Sequence, residues 1–304
     1  LQLCKSGGGR GYVTFADCCA QAVGLDKGAV LRHPDHGRPT DGRRGTLTQP
    51  ALLSLLDEGV LTLTLNRPER LNALSTGLLA DLAAALDEGV AAGARAVLLT
   101  GAGRAFSSGA DLAGDGGGTA NLGDTLTAFY HPLFERIAGL GLPIVCGLNG
   151  PAVGAGVALA LAADIVVMAR SAYLQLGFVN IGLVPDAGAT WLVARGAGRA
   201  KALEMALLGE QMTAQQAQAA GLVARVVDDE ALAAEALGIA RRLASGPTIA
   251  VGLIRKQVAA ALDLDLAETM ALEAANQTTA GCTNDFREGV MAFLNKRAPR
   301  FRGE

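Results

Sequence analysis

Phe106-Ser107-Ser108-Gly109-Ala110-Asp111-Leu112 and Asn149-Gly150-Pro151-Ala152-Val153-Gly154-Ala155-Gly156 decide how this chain is read. Each is a turn of small residues that follows an apolar, strand-like run and leads into a helix-like segment. Gly and Ala let the main chain approach a bound group closely, so two such turns can aim two backbone N–H groups at one oxygen. Two converging donors suit one developing oxyanion.

Working outward, Gly59–Asn66 reads as a strand and Arg67-Pro68-Glu69-Arg70 breaks it. Ser75 begins a helix with Leu78, Leu79, Leu82 and Leu86 on one face. Ala96–Thr100, Ile144–Leu148 and Asp164–Met168 are apolar runs of strand length, and 153–163 reads as a helix. This alternation predicts an α/β fold with largely parallel strands. From about Gly196 the reading is nearly all helical, in segments at 199–208, 213–220, 229–244, 247–261, 263–279 and 284–295. The expected division is an extension over 1–50, a core over 51–245 and a helical region over 246–304.

The extension holds Cys4, Cys18, Cys19, His33, His36 and Gly/Arg-rich patches without periodicity, and it is set aside from fold reasoning. The chain has 304 residues, half of them hydrophobic, enough for a large core. A net charge of -3 gives no electrostatic case for nucleic acid or an anionic membrane. The longest charge-free run, between Arg136 and Asp164, is interrupted by Pro143, Asn149, Pro151 and glycines, so no spanning helix is expected. Five scattered cysteines form no metal-spaced pair and suit a reducing cytoplasm. No signal-peptide pattern is evident.

The chain resembles the crotonase (enoyl-CoA hydratase/isomerase) superfamily over about Leu52 to Glu304. The resemblance rests on Leu65–Leu74, Phe106–Leu112, Asn149–Gly156, Gly182-Leu183-Val184-Pro185-Asp186-Ala187-Gly188 and Ala219–Val223, in this order and separation. It implies a spiral of ββα repeats with a C-terminal helical trimerisation region, and an acyl-CoA substrate. It implies a homotrimer or a dimer of trimers as well, with neither nucleic acid nor membrane as a partner. It places the oxyanion-hole donors at the backbone N–H of Ala110 and Ala155. It lines the thioester and CoA site with Arg70, Ala73, Leu74, Ser108, Gly109, Asp111, Leu112, Gly154 and Phe178. Lys296 and Arg297 stand near the last helix end, where such cations approach the CoA nucleotide or simply complement the helix terminus.

Two glutamates carry hydration in that family, one to activate water and one to protonate carbon. Their positions fall here on Ala158 and Phe178, so the two-carboxylate route is not expected. Asp186 matches the position of the single acid/base of the family's isomerases. Its expected surroundings (Val184, Pro185, Ala187, Trp191, Phe178) are apolar and would raise its pKa. Capping of the next helix is the competing role for Asp186. Ser107 and Ser108 lack a histidine partner, since His131 is the only histidine of the domain and reads as bordering the pocket or solvent. Asp111 and Asp164 read as structural, one capping the following segment and one pinning a turn.

Thr190-Trp191-Leu192, Ala206–Gly209, Val226–Glu230 and Phe286–Leu294 extend the likeness to the isomerase branch of phenylacetate degradation. That branch opens a ring epoxide to an oxepin thioester and can shift a 3-enoyl double bond to the 2-position. The implied chemistry needs no cofactor and no metal; CoA is part of the substrate. Glycine-rich residues 113–125 are expected to form a mobile loop over the acyl pocket. The alternatives are a dehalogenase- or hydrolase-like enzyme with Asp186 as nucleophile, and a non-catalytic binding protein on the same fold, which the acidic balance disfavours.

Overall fold

A computed structural model describes residues 49–114 and 121–304. The extension through residue 48 and residues 115–120 of the glycine-rich stretch lie outside the described residues. The described chain opens on a hairpin of β1 (Leu52–Asp57) and β2 (Val60–Leu65), turned at Glu58-Gly59. Helix α1 (Thr76–Ala91) follows, capped by Ser75 and burying Leu78, Leu79, Leu82 and Leu86. Next come β3 (Ala96–Gly101) and a continuous helical run: α2 (Leu122–Thr125), a π-helical turn (Leu126–Tyr130) and α3 (His131–Gly139).

Then come β4 (Ile144–Leu148), β5 (Ala152–Val153), α4 (Ala155–Leu161), β6 (Ile165–Ala169), β7 (Tyr173–Gln175) and a 3-10 turn at Phe178–Ile181. Helix α5 (Ala189–Leu208), β8 (Met212–Thr213), α6 (Ala214–Ala219), β9 (Arg225–Val227) and α7 (Leu232–Ala244) complete the layers. The chain closes with α8 (Thr248–Ala261), α9 (Leu266–Gly281) and α10 (Asn284–Leu294).

The large sheet runs β1-β2-β3-β4-β6-β9, antiparallel only at its first pair. Its inner strands β3 and β4 are buried at every residue, as parallel strands covered on both faces must be. A small sheet, β5-β7-β8, stands apart from it. Two single-residue parallel bridges, Leu74 with Ala110 and Ser107 with Ala152, continue its line. The repeat is therefore a large-sheet strand, a small-sheet strand or bridge, then a helix. It is complete in β4-β5-α4 and β6-β7-α5 and reduced to bridges in the two turns before them. This is the expected ββα spiral.

Several boundaries differ from the sequence reading. Helix α4 starts at Ala155 because Val153 is taken by β5 and Gly154 turns the chain at φ 54. The helical part begins at Ala189, before Gly196; the glycine-rich break there is a kink at Gly198 inside α5. Strands β8 and β9 interrupt the helical reading because two- and three-residue strands carry no period of their own and form by pairing with β7 and β6. Residues 122–125 of the expected loop are helical. Among the described residues, no helix is long and apolar enough to cross a membrane.

Candidate active site

The site is built where the two degenerate turns of the spiral meet the start of α4. In the bridge, Leu74 donates its N–H to the Gly109 carbonyl (2.8 Å) and accepts the Asp111 N–H (3.2 Å). Gly109 and Asp111 thus face Leu74, and the N–H of Ala110 between them points the other way. Among the described residues it has no acceptor. Ala155 is the first residue of α4, so its N–H has no intrahelical partner either. Each donor follows a glycine at positive φ, Gly109 at 88° and Gly154 at 54°. The two turns touch: a Cβ placed on Gly109 would lie 2.7 Å from the Val153 carbonyl oxygen and 3.4 Å from the Ala155 nitrogen. The structure therefore sets two free N–H groups on adjoining turns, an arrangement suited to one anionic oxygen.

Other side chains hold this geometry. Ser107 is fully buried; its hydroxyl donates to the Asn72 carbonyl (2.9 Å) and accepts the Gly109 N–H (3.2 Å). It is a brace for the turn. Ser108 is half-buried, with its N–H on the Leu71 carbonyl. Asn72, also fully buried, donates to the Ala102 and Ala105 carbonyls and accepts the Arg67 N–H. Arg67 bonds the Ala73 carbonyl and Asp111 Oδ2, both at 2.7 Å. The Arg67 hydrogen bond holds the Asp111 carboxyl below its ordinary range. Asp111 Oδ1 accepts the Gly114 N–H, so it does cap the turn that follows, as expected. No local spacing in the sequence points to this role for Arg67, because its partner lies 44 residues away.

Asp186 stands in the turn before α5. Ala187 and Gly188 follow it, both at positive φ (51° and 81°), an arrangement that costs Ala187 about 1 kcal/mol. The cap of α5 is Gly188, with no side-chain hydrogen bond, so Asp186 does not cap that helix. Its Oδ1 is buried and without a hydrogen-bond partner. Burial pushes the carboxyl up to about 6, with the nearby His131 pulling the other way. A carboxyl with a free oxygen and a pKa near neutrality is equipped to take and return a proton.

The surroundings are less closed than the sequence implied. Phe178 and Ala187 are buried, but Val184 and Trp191 are exposed, and Trp191 stacks on the Arg195 guanidinium (4.4 Å). The Leu183 N–H bonds the Phe178 carbonyl (2.9 Å), tying the Asp186 loop to Phe178. The Phe178 ring in turn lies 3.7 Å from where a Gly154 Cβ would stand. Ala158 is fully buried inside α4.

The remaining expected residues divide. Ala73 and Leu74 are buried and offer main chain, Arg70 and Leu112 are exposed beside them, and His131 is exposed. Lys296 is exposed beyond α10, with its N–H on the Phe293 carbonyl (3.1 Å). Arg297 is engaged by Glu288, whose carboxyl that hydrogen bond lowers to about 2. Asp164 pins the start of β4 by accepting the Ile144 N–H (2.7 Å) and pairs with Arg255 (2.6 Å). Among the described residues no three potential metal ligands gather.

Comparison with known proteins agrees with this architecture. The family model described as Enoyl-CoA hydratase/isomerase matches residues 56–304. A 1,2-epoxyphenylacetyl-CoA isomerase of Escherichia coli (strain K12) is 46% identical over 262 residues, spanning 83% of this chain and 98% of that protein. A probable enoyl-CoA hydratase of Rhodobacter capsulatus is 44% identical over 249 residues, spanning 82% and 96%. The crystal structure of an enoyl-CoA hydratase from Bacillus anthracis superposes with a TM-score of 0.80 at 32% identity, covering 84% of this chain and all (100%) of that one.

Proposed function

The chain belongs to the enoyl-CoA hydratase/isomerase family, and from that premise we propose that it is an isomerase of acyl-CoA thioesters with Asp186 as its single acid/base. The substrate class we assign is the ring epoxide of a phenylacetyl thioester, as named for the Escherichia coli relative, with 3-enoyl to 2-enoyl shifts as a second activity. The observation that carries this reading is the unpartnered, buried Oδ1 of Asp186 in a chain that has Ala158 and Phe178 at the two hydratase positions.

In the double-bond shift, Asp186 removes a proton from the carbon next to the thioester carbonyl. The electron pair moves into a dienolate whose oxygen lies between the Ala110 and Ala155 N–H groups. The same carboxyl then gives its proton to the carbon two positions away, and the carbonyl reforms. Atoms and electrons balance without water, metal or redox group. Phe178 contributes by exclusion: an aromatic ring where a carboxylate would hold a water disfavours hydration.

The remaining exposed apolar residues fit assembly. Ile254 and Val258 of α8 and Leu262 just after it, with Leu266 and Met270 of α9 and Phe293 of α10, are open in the single chain, as are Ile181, Leu183 and Val184 beside Asp186. We assign them to contacts between copies, in a trimer or a pair of trimers.

A panel of 2-enoyl-, 3-enoyl- and epoxyphenylacetyl-CoA, read by product mass and ultraviolet spectrum, tests the reading. Hydration of crotonyl-CoA is expected at less than about 1% of the isomerisation rate, since both hydratase carboxylates are missing. A hydration rate comparable with isomerisation would refute the reading. The pH profile gives a second check. Asp186 must be ionised to accept the carbon-bound proton, so kcat/KM is expected to fall as pH drops through about 6. A profile flat down to pH 5 would remove Asp186 as the base.

A further inference from the structure

The helical run from α2 to α3 reaches the Leu74–Ala110 bridge through one residue that nothing described so far uses. Tyr130 ends the π-helical turn, closed by the His131 N–H on the Leu126 carbonyl. The extra residue of a π turn changes which side chain faces inward. Phe129 and His131 stay exposed, whereas Tyr130 is only 5% exposed. Its hydroxyl donates to the Leu74 carbonyl at 3.3 Å, across 56 residues of chain. That carbonyl is the one that accepts the Asp111 N–H in the bridge. The bond is long for an O–H donor, but a buried hydroxyl that lost it would keep an unmet polar group.

We infer that Tyr130 is a positioning residue for the reaction: by holding the Leu74 carbonyl, it fixes the Leu74–Ala110 bridge and with it the direction of the Ala110 N–H. This rests on the reading of Ala110 and Ala155 as the oxyanion donors. Arg67 clamps the same bridge from the other end, through the Ala73 carbonyl and Asp111. The bridge has only one residue pair, so no neighbouring rungs of a ladder keep it in register. Two side-chain clamps do that instead. Burial and the facing Asp186 and Asp111 carboxylates keep the phenol protonated through the working pH range, so it remains a donor.

Tyr130→Phe removes the hydroxyl and keeps the ring. The test combines steady-state isomerisation of a 3-enoyl-CoA with the absorption of bound cinnamoyl-CoA, a conjugated thioester whose band moves to the red when its carbonyl is polarised. Wild type is expected to isomerise and to shift the band; if it does neither, the reading of the donor pair fails, and this inference with it. Given a working wild type, the variant is expected to lose about tenfold in kcat with KM within twofold, and at least half of the red shift. The shift is read per bound ligand, so partial unfolding does not mimic its loss. A variant that keeps kcat within twofold and the full shift, whatever its melting temperature, would overturn the role of Tyr130 alone.

Discussion

Asp186→Asn is expected to lower kcat by on the order of 10²–10⁴ while melting no lower than the wild type above pH 7. The rate follows because the amide is nearly isosteric with the carboxylate but cannot accept a carbon-bound proton. Acyl-CoA affinity should change little, since the proposed donors at Ala110 and Ala155 are main chain. The stability follows from the sign of the pKa shift. The folded carboxyl is raised from its ordinary 3.8 to about 6, so the fold binds a proton more tightly than the unfolded chain does. Stability from that proton is complete below pH 4 and lost as pH rises through about 6. At pH 8 the wild type carries a half-buried charge with one oxygen unpartnered, and the neutral amide does not. Calorimetry and kinetics on one preparation decide it. A helix-capping role predicts the opposite pair, near-normal turnover with lower stability. If the variant turned over at the wild-type rate, Asp186 would have no part in the chemistry.

The second large effect is expected from Gly109→Ala. Its methyl group would stand 2.7 Å from the Val153 carbonyl oxygen, closer than carbon and oxygen tolerate, so one turn must move away from the other. That motion separates the two donors. Loss of one such donor costs about 10²–10³ in kcat. Backbone strain at φ 88° adds a stability loss of about 1–3 kcal/mol. Gly93→Ala separates the two effects. Gly93 has the same φ of 88°, but an added Cβ there meets nothing within 4 Å. It should show the strain without the catalytic loss. Equal kcat in both variants would mean that the contact of the two turns is not what aligns the donors.

The sequence was most legible where a residue type is forced by the backbone. Gly109 and Gly154 occupy positive φ next to the two donors, and such positions announce themselves as glycines between strand-like and helix-like runs. The α1 face was legible because Ser75 and four leucines repeat at helical spacing. What stayed hidden depends on contacts between distant segments. Arg67 finds Asp111 and Tyr130 finds Leu74 only after the spiral has turned. In the stretch Phe129-Tyr130-His131 residue type favours the histidine as the chemical group, whereas the π turn buries the tyrosine and leaves the histidine outside. The apolar wall expected around Asp186 was read from hydrophobicity alone. Val184 and Trp191 have that hydrophobicity but are exposed, because hydrophobicity alone does not say which side of a turn a residue takes.

The one-residue bridge at Ala110 also says something about how far this scaffold could be tidied. A designer seeking a more regular molecule would lengthen the small sheet, pairing Ala110 with the strand beside it as β5 pairs with β7. Every rung so added would occupy an N–H that now stands open. On the proposed mechanism, regularity and reactivity compete for the same amide, and the chemistry depends on a sheet left unfinished. Variants selected only for thermal robustness would drift toward closing that gap, and so toward an inert homologue of the same shape.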